Sequence, residues 1–142
     1  MSGKGARFLA SGIELLDERP GDGRTAEKGD TVAYNARLFL RKGDEVTRDS
    51  DIIARARAHV STRVVEGAEL IDHAVELGKR RTIAGIEKAL YGMQAGGYRE
   101  IMIAPHLAYG ERGVEALIPA NALLRVRLWL REVKAPSAGI GD

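Results

Sequence analysis

Leu124-Arg125-Val126-Arg127-Leu128-Trp129-Leu130-Arg131 alternates without a fault, setting four aliphatic side chains against three arginines and a tryptophan. Successive side chains of a strand point to opposite faces, so this stretch predicts a strand with one face in a core and the other toward water. Thr31 to Arg41 repeats the pattern. Val32, Tyr34, Ala36, Leu38 and Leu40 share one side, Thr31, Ala33, Asn35 and Arg37 the other, and Lys42-Gly43-Asp44 supplies a turn. Ile13 to Glu18 is a less regular strand closed by Pro20-Gly21-Asp22-Gly23, and Tyr98 to Ile103 is a further one ending at Pro105. Strands of this kind, with no strand–helix–strand alternation, predict an antiparallel sheet.

One helix stands among them. Ile83, Ile86, Ala89, Leu90 and Met93 fit a short amphipathic helix, with Thr82 as its expected N-cap and Gly92 at its expected end. Leu70 to Leu77 is expected to be one short strand stopped by Gly78. Arg48 to Asp72 is read as strand or irregular extension, because Ala54-Arg55-Ala56-Arg57-Ala58-His59-Val60 has a period of two. His106 to Pro119 is a loop long enough to suggest function. The fold class is therefore α+β, as one domain over 1–134 with an insertion at about 48–72 and a flexible tail at 135–142.

Composition narrows the chemistry. The chain has 142 residues, 44% hydrophobic and 30% charged, which is a globular balance. With no cysteine there is no disulfide framework, thiol nucleophile or Cys-ligated metal. A net charge of +2 argues against a dedicated nucleic-acid binder. The basic N-terminus is followed only by Phe8-Leu9-Ala10, short of the roughly 7–15 apolar residues of a signal peptide. No apolar run approaches the roughly 18 residues of a membrane span, so no membrane association and a cytoplasmic location are expected.

His59, His73 and His106 lack metal-ligand spacing, and no metal or cofactor is expected. Asp49-Ser50-Asp51 begins like a calcium loop without its glycine or distal glutamate, and reads as a cap or turn. Gly92 to Gly97 lacks dinucleotide spacing and precedes a strand, so it reads as a tight connection. Arg55, Arg57, Arg63, Arg125, Arg127 and Arg131 form stripes that read first as a solvated sheet face with glutamate neighbours, and otherwise as a basic adaptor surface.

The second half is more specific. Ile83-Ala84-Gly85-Ile86-Glu87-Lys88-Ala89-Leu90 is followed by Gly92-Met93, Gly96, Ile101-Met102-Ile103-Ala104-Pro105, Leu107-Ala108-Tyr109-Gly110, Gly113 and Ile118-Pro119-Ala120-Asn121-Ala122. With Pro20-Gly21-Asp22-Gly23-Arg24-Thr25 and Lys28-Gly29-Asp30 before them, these pieces resemble the FKBP family of peptidyl-prolyl cis-trans isomerases over roughly residues 12–133. The resemblance implies a twisted sheet of about five strands around one short helix, with an apolar pocket between them. It also implies action on Xaa-Pro bonds in peptides or unfolded protein, without cofactor. The amide barrier is about 18–20 kcal/mol of resonance, and a pocket that grips the twisted amide more tightly than the planar one lowers it.

Carried over residue by residue, the resemblance makes the Tyr109 hydroxyl and the Ile83 backbone N–H the groups that hold substrate carbonyls, with Leu117 and Ile118 as the apolar lip. Several aromatic positions are replaced: the strand tyrosine expected at 36 by Ala36, a Phe-Asp pair by Val46-Thr47, and a phenylalanine by His73. The tryptophan of the pocket floor is replaced by Ile86 and a last-strand phenylalanine by Val126, while Val114 stands where the loop often carries a bulky residue. Asp49 replaces the missing acid only if that strand continues, and Ile86 is equally a core residue. The expectation is therefore isomerase activity below that of a typical relative, with weak macrolide binding. A catalytically silent peptide-binding module is the alternative. The insertion, carrying Val60, Val64, Val65 and Leu70, is expected to be ordered, either extending the sheet or covering the pocket mouth.

Overall fold

The computed structural model describes residues 7–46 and 61–136. Thr47, Asp49-Ser50-Asp51, Arg55, Arg57, His59 and nearly all of the expected tail lie outside these residues. Eight strands and one α-helix are described: β1 (Arg7–Ala10), β2 (Ile13–Arg19), β3 (Thr31–Leu40), β4 (Thr62–Val65), β5 (Ala68–Ile71), β6 (His73–Glu76), α1 (Ala84–Leu90), β7 (Tyr98–Ile103) and β8 (Leu124–Lys134). Six of the strands form an antiparallel sheet in the order β1-β2-β7-β8-β3-β6, and β4 and β5 form a separate two-stranded sheet.

The alternation of β8 is realised as read: Leu124, Val126, Leu128 and Leu130 are buried. They meet Ile13 and Leu15 from β2, Val32 and Tyr34 from β3, Ile101 and Ile103 from β7, and Ile86, Ala89 and Leu90 from α1 in one core. The helix lies close because Gly85 has no side chain. A Cβ there would sit 2.4 Å from Ile103 Cγ2, inside van der Waals contact.

Four expectations need revision. The sheet has one strand more than the resemblance implies, because Arg7–Ala10 pairs with β2 at its edge. The expected single strand at 70–77 is two strands parted at Asp72. Thr82 does not cap the helix: its Oγ1 accepts the Tyr34 hydroxyl at 2.9 Å, and Ile83 takes the N-cap position with extended backbone and no side-chain cap bond. Asn35, read as facing water, is 0% exposed. Its Nδ2 donates to Ile71 C=O at 3.0 Å and to Asp72 Oδ1 at 2.7 Å, which offsets part of the cost of burial, while its Oδ1 is buried without a hydrogen-bond partner among the described residues.

Candidate functional site

A cavity of about 490 Å³ opens beside β3. Three pieces of chain enclose it. The far half of β3 and the turn after it contribute Ala36, Arg37, Leu38, Glu45 and Val46. β5 and the start of β6 contribute Ala68, Glu69, Leu70, Ile71 and His73. The loop between β7 and β8 contributes Tyr109, Val114, Leu117 and Ile118.

Each wall has a local cause. Strand β3 is held against β8 along its length, and Val46 is fixed by donating its N–H to Leu38 C=O at 2.8 Å. β4 and β5 are joined by Glu66 and Gly67, both with positive φ, the two-residue hairpin turn that matches strand twist. The hairpin is tied down at its base by Asp72, which accepts from Asn35 and from Ser61 Oγ at 2.8 Å, with Arg131 at 3.5 Å and Arg63 at 3.8 Å. Burial pushes the Asp72 carboxyl up, but those hydrogen bonds and cations outweigh it and leave it below its ordinary value.

The loop wall is laced by its own backbone. Gly110 N–H donates to Pro105 C=O, Gly113 N–H to Tyr109 C=O, Ile118 N–H to Val114 C=O and Asn121 N–H to Gly110 C=O, all at 2.8–3.0 Å. Gly113 has φ +61, and a Cβ there would meet Ile118 O at 2.2 Å, so the loop closes on itself only with glycine.

The structure brings five of the expected site residues to this cavity: Tyr109, Val46, His73, Leu117 and Ile118. Ile86 and Val126 are buried in the core, 4% and 0% exposed, and are not on the cavity lining. Ile83 is half-buried at the head of α1, off the lining, and its N–H has no partner among the described residues. The Tyr109 hydroxyl likewise has no hydrogen-bond partner among them. Thr47 lies outside the described residues.

On the same side of β3 as Ala36, two residues before it, Tyr34 is buried. Its ring stacks on His73 with centroids 5.1 Å apart, so an aromatic pair backs the cavity where aliphatic packing was expected. Of the insertion expected to be ordered and to extend the sheet or cover the pocket mouth, the described part from residue 61 on forms the β4–β5 hairpin, and its Ala68, Glu69, Leu70 and Ile71 line the cavity. The hairpin form itself is not among the sequence expectations. Gly67 between Val64-Val65 and the Leu70-Ile71 pair was the available signal. Of the polar groups, Arg37 and Glu45 form a two-bonded pair at 2.6 and 2.8 Å, which holds the Glu45 carboxyl below its ordinary value. Among the described residues no group of three or more His, Asp or Glu is placed to hold a metal. The lining combines apolar area with the Tyr109 phenol, the Arg37–Glu45 pair, Glu69 and His73.

Known proteins resemble this chain in sequence and in fold. FK506-binding protein 1A of Neurospora crassa is 41% identical over 129 residues, covering 90% of this chain and 93% of that protein. FK506-binding protein 4 of Chaetomium thermophilum is 34% identical over 126 residues, 89% of this chain; the chain spans only 22% of that relative's length. In fold, a peptidyl-prolyl cis-trans isomerase from Pseudomonas syringae pv. tomato superposes with a TM-score of 0.68 at 22% identity, covering 94% of this chain and 84% of that one. FkpA from Escherichia coli gives 0.64 at 25% identity, covering 94% and 53%. The sequence model of FKBP-type peptidyl-prolyl cis-trans isomerases matches residues 22–128, and with these relatives it establishes that the chain belongs to that family.

Proposed function

We propose that this chain catalyses cis-trans isomerisation of Xaa-Pro bonds in peptides and unfolded protein, and does so less efficiently than relatives with an aromatic pocket. The observation that carries the reading is the cavity itself: apolar side chains from three directions converge on about 490 Å³, with the Tyr109 hydroxyl at its wall. A prolyl ring fits such a space by burial alone. Twisting the amide breaks its conjugation, returning the lone pair to the nitrogen and taking charge off the carbonyl oxygen, so an apolar site favours the twisted form over the planar one; a phenol that donates to a neighbouring carbonyl orients the peptide through the twist.

The same observation supports the lower level of activity proposed here. Val46, Val114 and Leu38 present softer, smaller walls than rings would, so planar and twisted amides are gripped more nearly alike. Losing about 1.5–4 kcal/mol of differential binding lowers kcat/KM about ten- to thousandfold. FK506, the ligand in the relatives' names, is expected to bind weakly for the same reason. A peptide-holding module without catalysis is the second reading. The hairpin wall of Ala68, Leu70 and Ile71 favours it, because it adds apolar contact that does not discriminate between amide geometries.

Two-dimensional NMR exchange spectroscopy on a short peptide with one Leu-Pro bond decides between them. Cis-trans exchange faster than in buffer, slowed about two- to tenfold further in Tyr109→Phe, is the expected result. Exchange at the uncatalysed rate, with peptide bound to both proteins, moves the chain to the second reading.

A further inference from the structure

Antiparallel strands turn the N–H and C=O of alternate residues toward alternate edges. In β8 the even residues face β7, since Leu130 exchanges both bonds with Gly96 and Gly97. The odd ones therefore face β3, and Trp129, Arg127 and Arg125 pair there with Asn35, Arg37 and Phe39. That leaves the even residues of β3 pointing their backbone groups to the opposite edge.

Nearly all of that edge is used. Asp30 C=O accepts from Leu77 N–H at 2.8 Å, and Val32 and Tyr34 pair with Val75 and His73 on β6. Beyond them Leu38 C=O accepts from Val46 N–H, and Leu40 N–H donates to Asp44 C=O, both at 2.8 Å. Ala36 is the even position between these two stretches. Among the described residues neither its N–H nor its C=O has a partner.

The gap has a definite origin. After Tyr34 and His73, the next rung of the ladder would join Ala36 to Ile71. The chain leaves the sheet at Asp72 instead, and Asn35 Nδ2 takes the Ile71 carbonyl. The strands part there, and both Ala36 and Ile71 line the cavity that opens between them. Among the described residues an open strand edge, one donor and one acceptor long, thus forms part of the wall of the pocket.

We propose that a bound peptide supplies the missing rung: one residue flanking the proline donates its N–H to Ala36 C=O and accepts from Ala36 N–H. The inference rests on the isomerase reading and deepens it by stating how the substrate backbone is read. It requires extended backbone at that residue, in line with β pairing, and it excludes from that position any residue lacking an N–H. A second proline there is rejected, whatever its fit to the apolar walls.

Wild-type protein suffices for the test, so no variant has to fold. A short peptide with one central Leu-Pro pair is titrated in, and amide hydrogen exchange at Ala36 is followed by NMR. Exchange slowed about tenfold or more at saturation is expected. A series of the same peptide, N-methylated at one residue at a time, is expected to lose about two- to tenfold in affinity at one position flanking the proline. Binding and isomerisation with Ala36 exchange unchanged, or with a flat N-methyl series, overturns the rung and leaves the isomerase reading standing. A peptide that neither binds nor isomerises overturns both.

Discussion

The two faces of the main sheet are made of different materials. Toward α1, the sheet presents aliphatic side chains that are almost fully buried, Ile101, Ile103, Leu124, Val126 and Leu128 among them. The opposite face is a lattice of arginines, carboxylates and rings. Arg125 pairs with Glu100 and lies 4.5 Å over Phe39; Arg127 donates to Glu66 at 2.7 Å and to the Tyr98 hydroxyl at 2.9 Å. Tyr98 and Trp129 are in ring contact, with Arg19 4.2 Å over Tyr98. Of the arginines in the sequence stripes, Arg63, Arg125, Arg127 and Arg131 each have an acidic partner, while Arg55 and Arg57 lie outside the described residues. Among the described residues the charged face is taken up by its own pairs, whereas the aliphatic face runs out into the cavity beside β3 where the proposed function is placed.

The sharpest way to break this comparison is to cut equally into both faces. Leu128→Ala removes a fully buried side chain and is expected to cost about 2–5 kcal/mol in urea unfolding, a transfer loss plus a cavity. Arg127→Leu removes a pair whose acid is well exposed, and is expected to cost about 1 kcal/mol or less. Equal losses would mean that the outer lattice stabilises the sheet as strongly as the core does.

A smaller effect is expected where the two materials meet. Asn35→Ala deletes the amide that holds Ile71 and Asp72, and leaves the half-buried Ile71 carbonyl without its donor. The loss should be about 1–3 kcal/mol, with faster amide exchange concentrated in β4 and β5. Uniformly faster exchange over β2, β7 and β8 would show instead that Asn35 supports the whole sheet.

The smallest effect is one of pH. Asp72 and Glu45 both have carboxyls held below their ordinary values in the folded protein. A depressed folded pKa contributes stability that is present above the unfolded value, about 4, and is lost as pH falls through the folded one. The urea midpoint should therefore drop below about pH 4, and Asp72→Asn should flatten part of that drop. An acid limb identical in the variant would separate Asp72 from the acid response.

Much of this was legible in the residues. The β8 alternation and the run from Ile83 to Leu90 placed the core and the helix, because burial of one face is what enforces a period. β1 escaped because Phe8-Leu9-Ala10 is too short to display a period at all. Asn35 escaped for a physical reason: strand parity assigns it to the outer face, and only the return of the chain at Asp72 covers it. At the site, Tyr109, Leu117 and Ile118 were legible through the family resemblance. The residues Ala68 to Ile71 were not, since they belong to a hairpin that resemblance treats as an insertion.

The loop from Pro105 to Asn121 bears on kinetics. Its hydrogen bonds run from one part of the loop to another, and Gly113 admits a carbonyl where any other residue would exclude it. The rim carrying Tyr109, Leu117 and Ile118 is thus assembled before a peptide arrives, and no ordering of that segment stands between encounter and capture. Association should proceed in a single phase, at about 10⁵–10⁷ M⁻¹s⁻¹, with differences among peptide sequences appearing in how long each one stays.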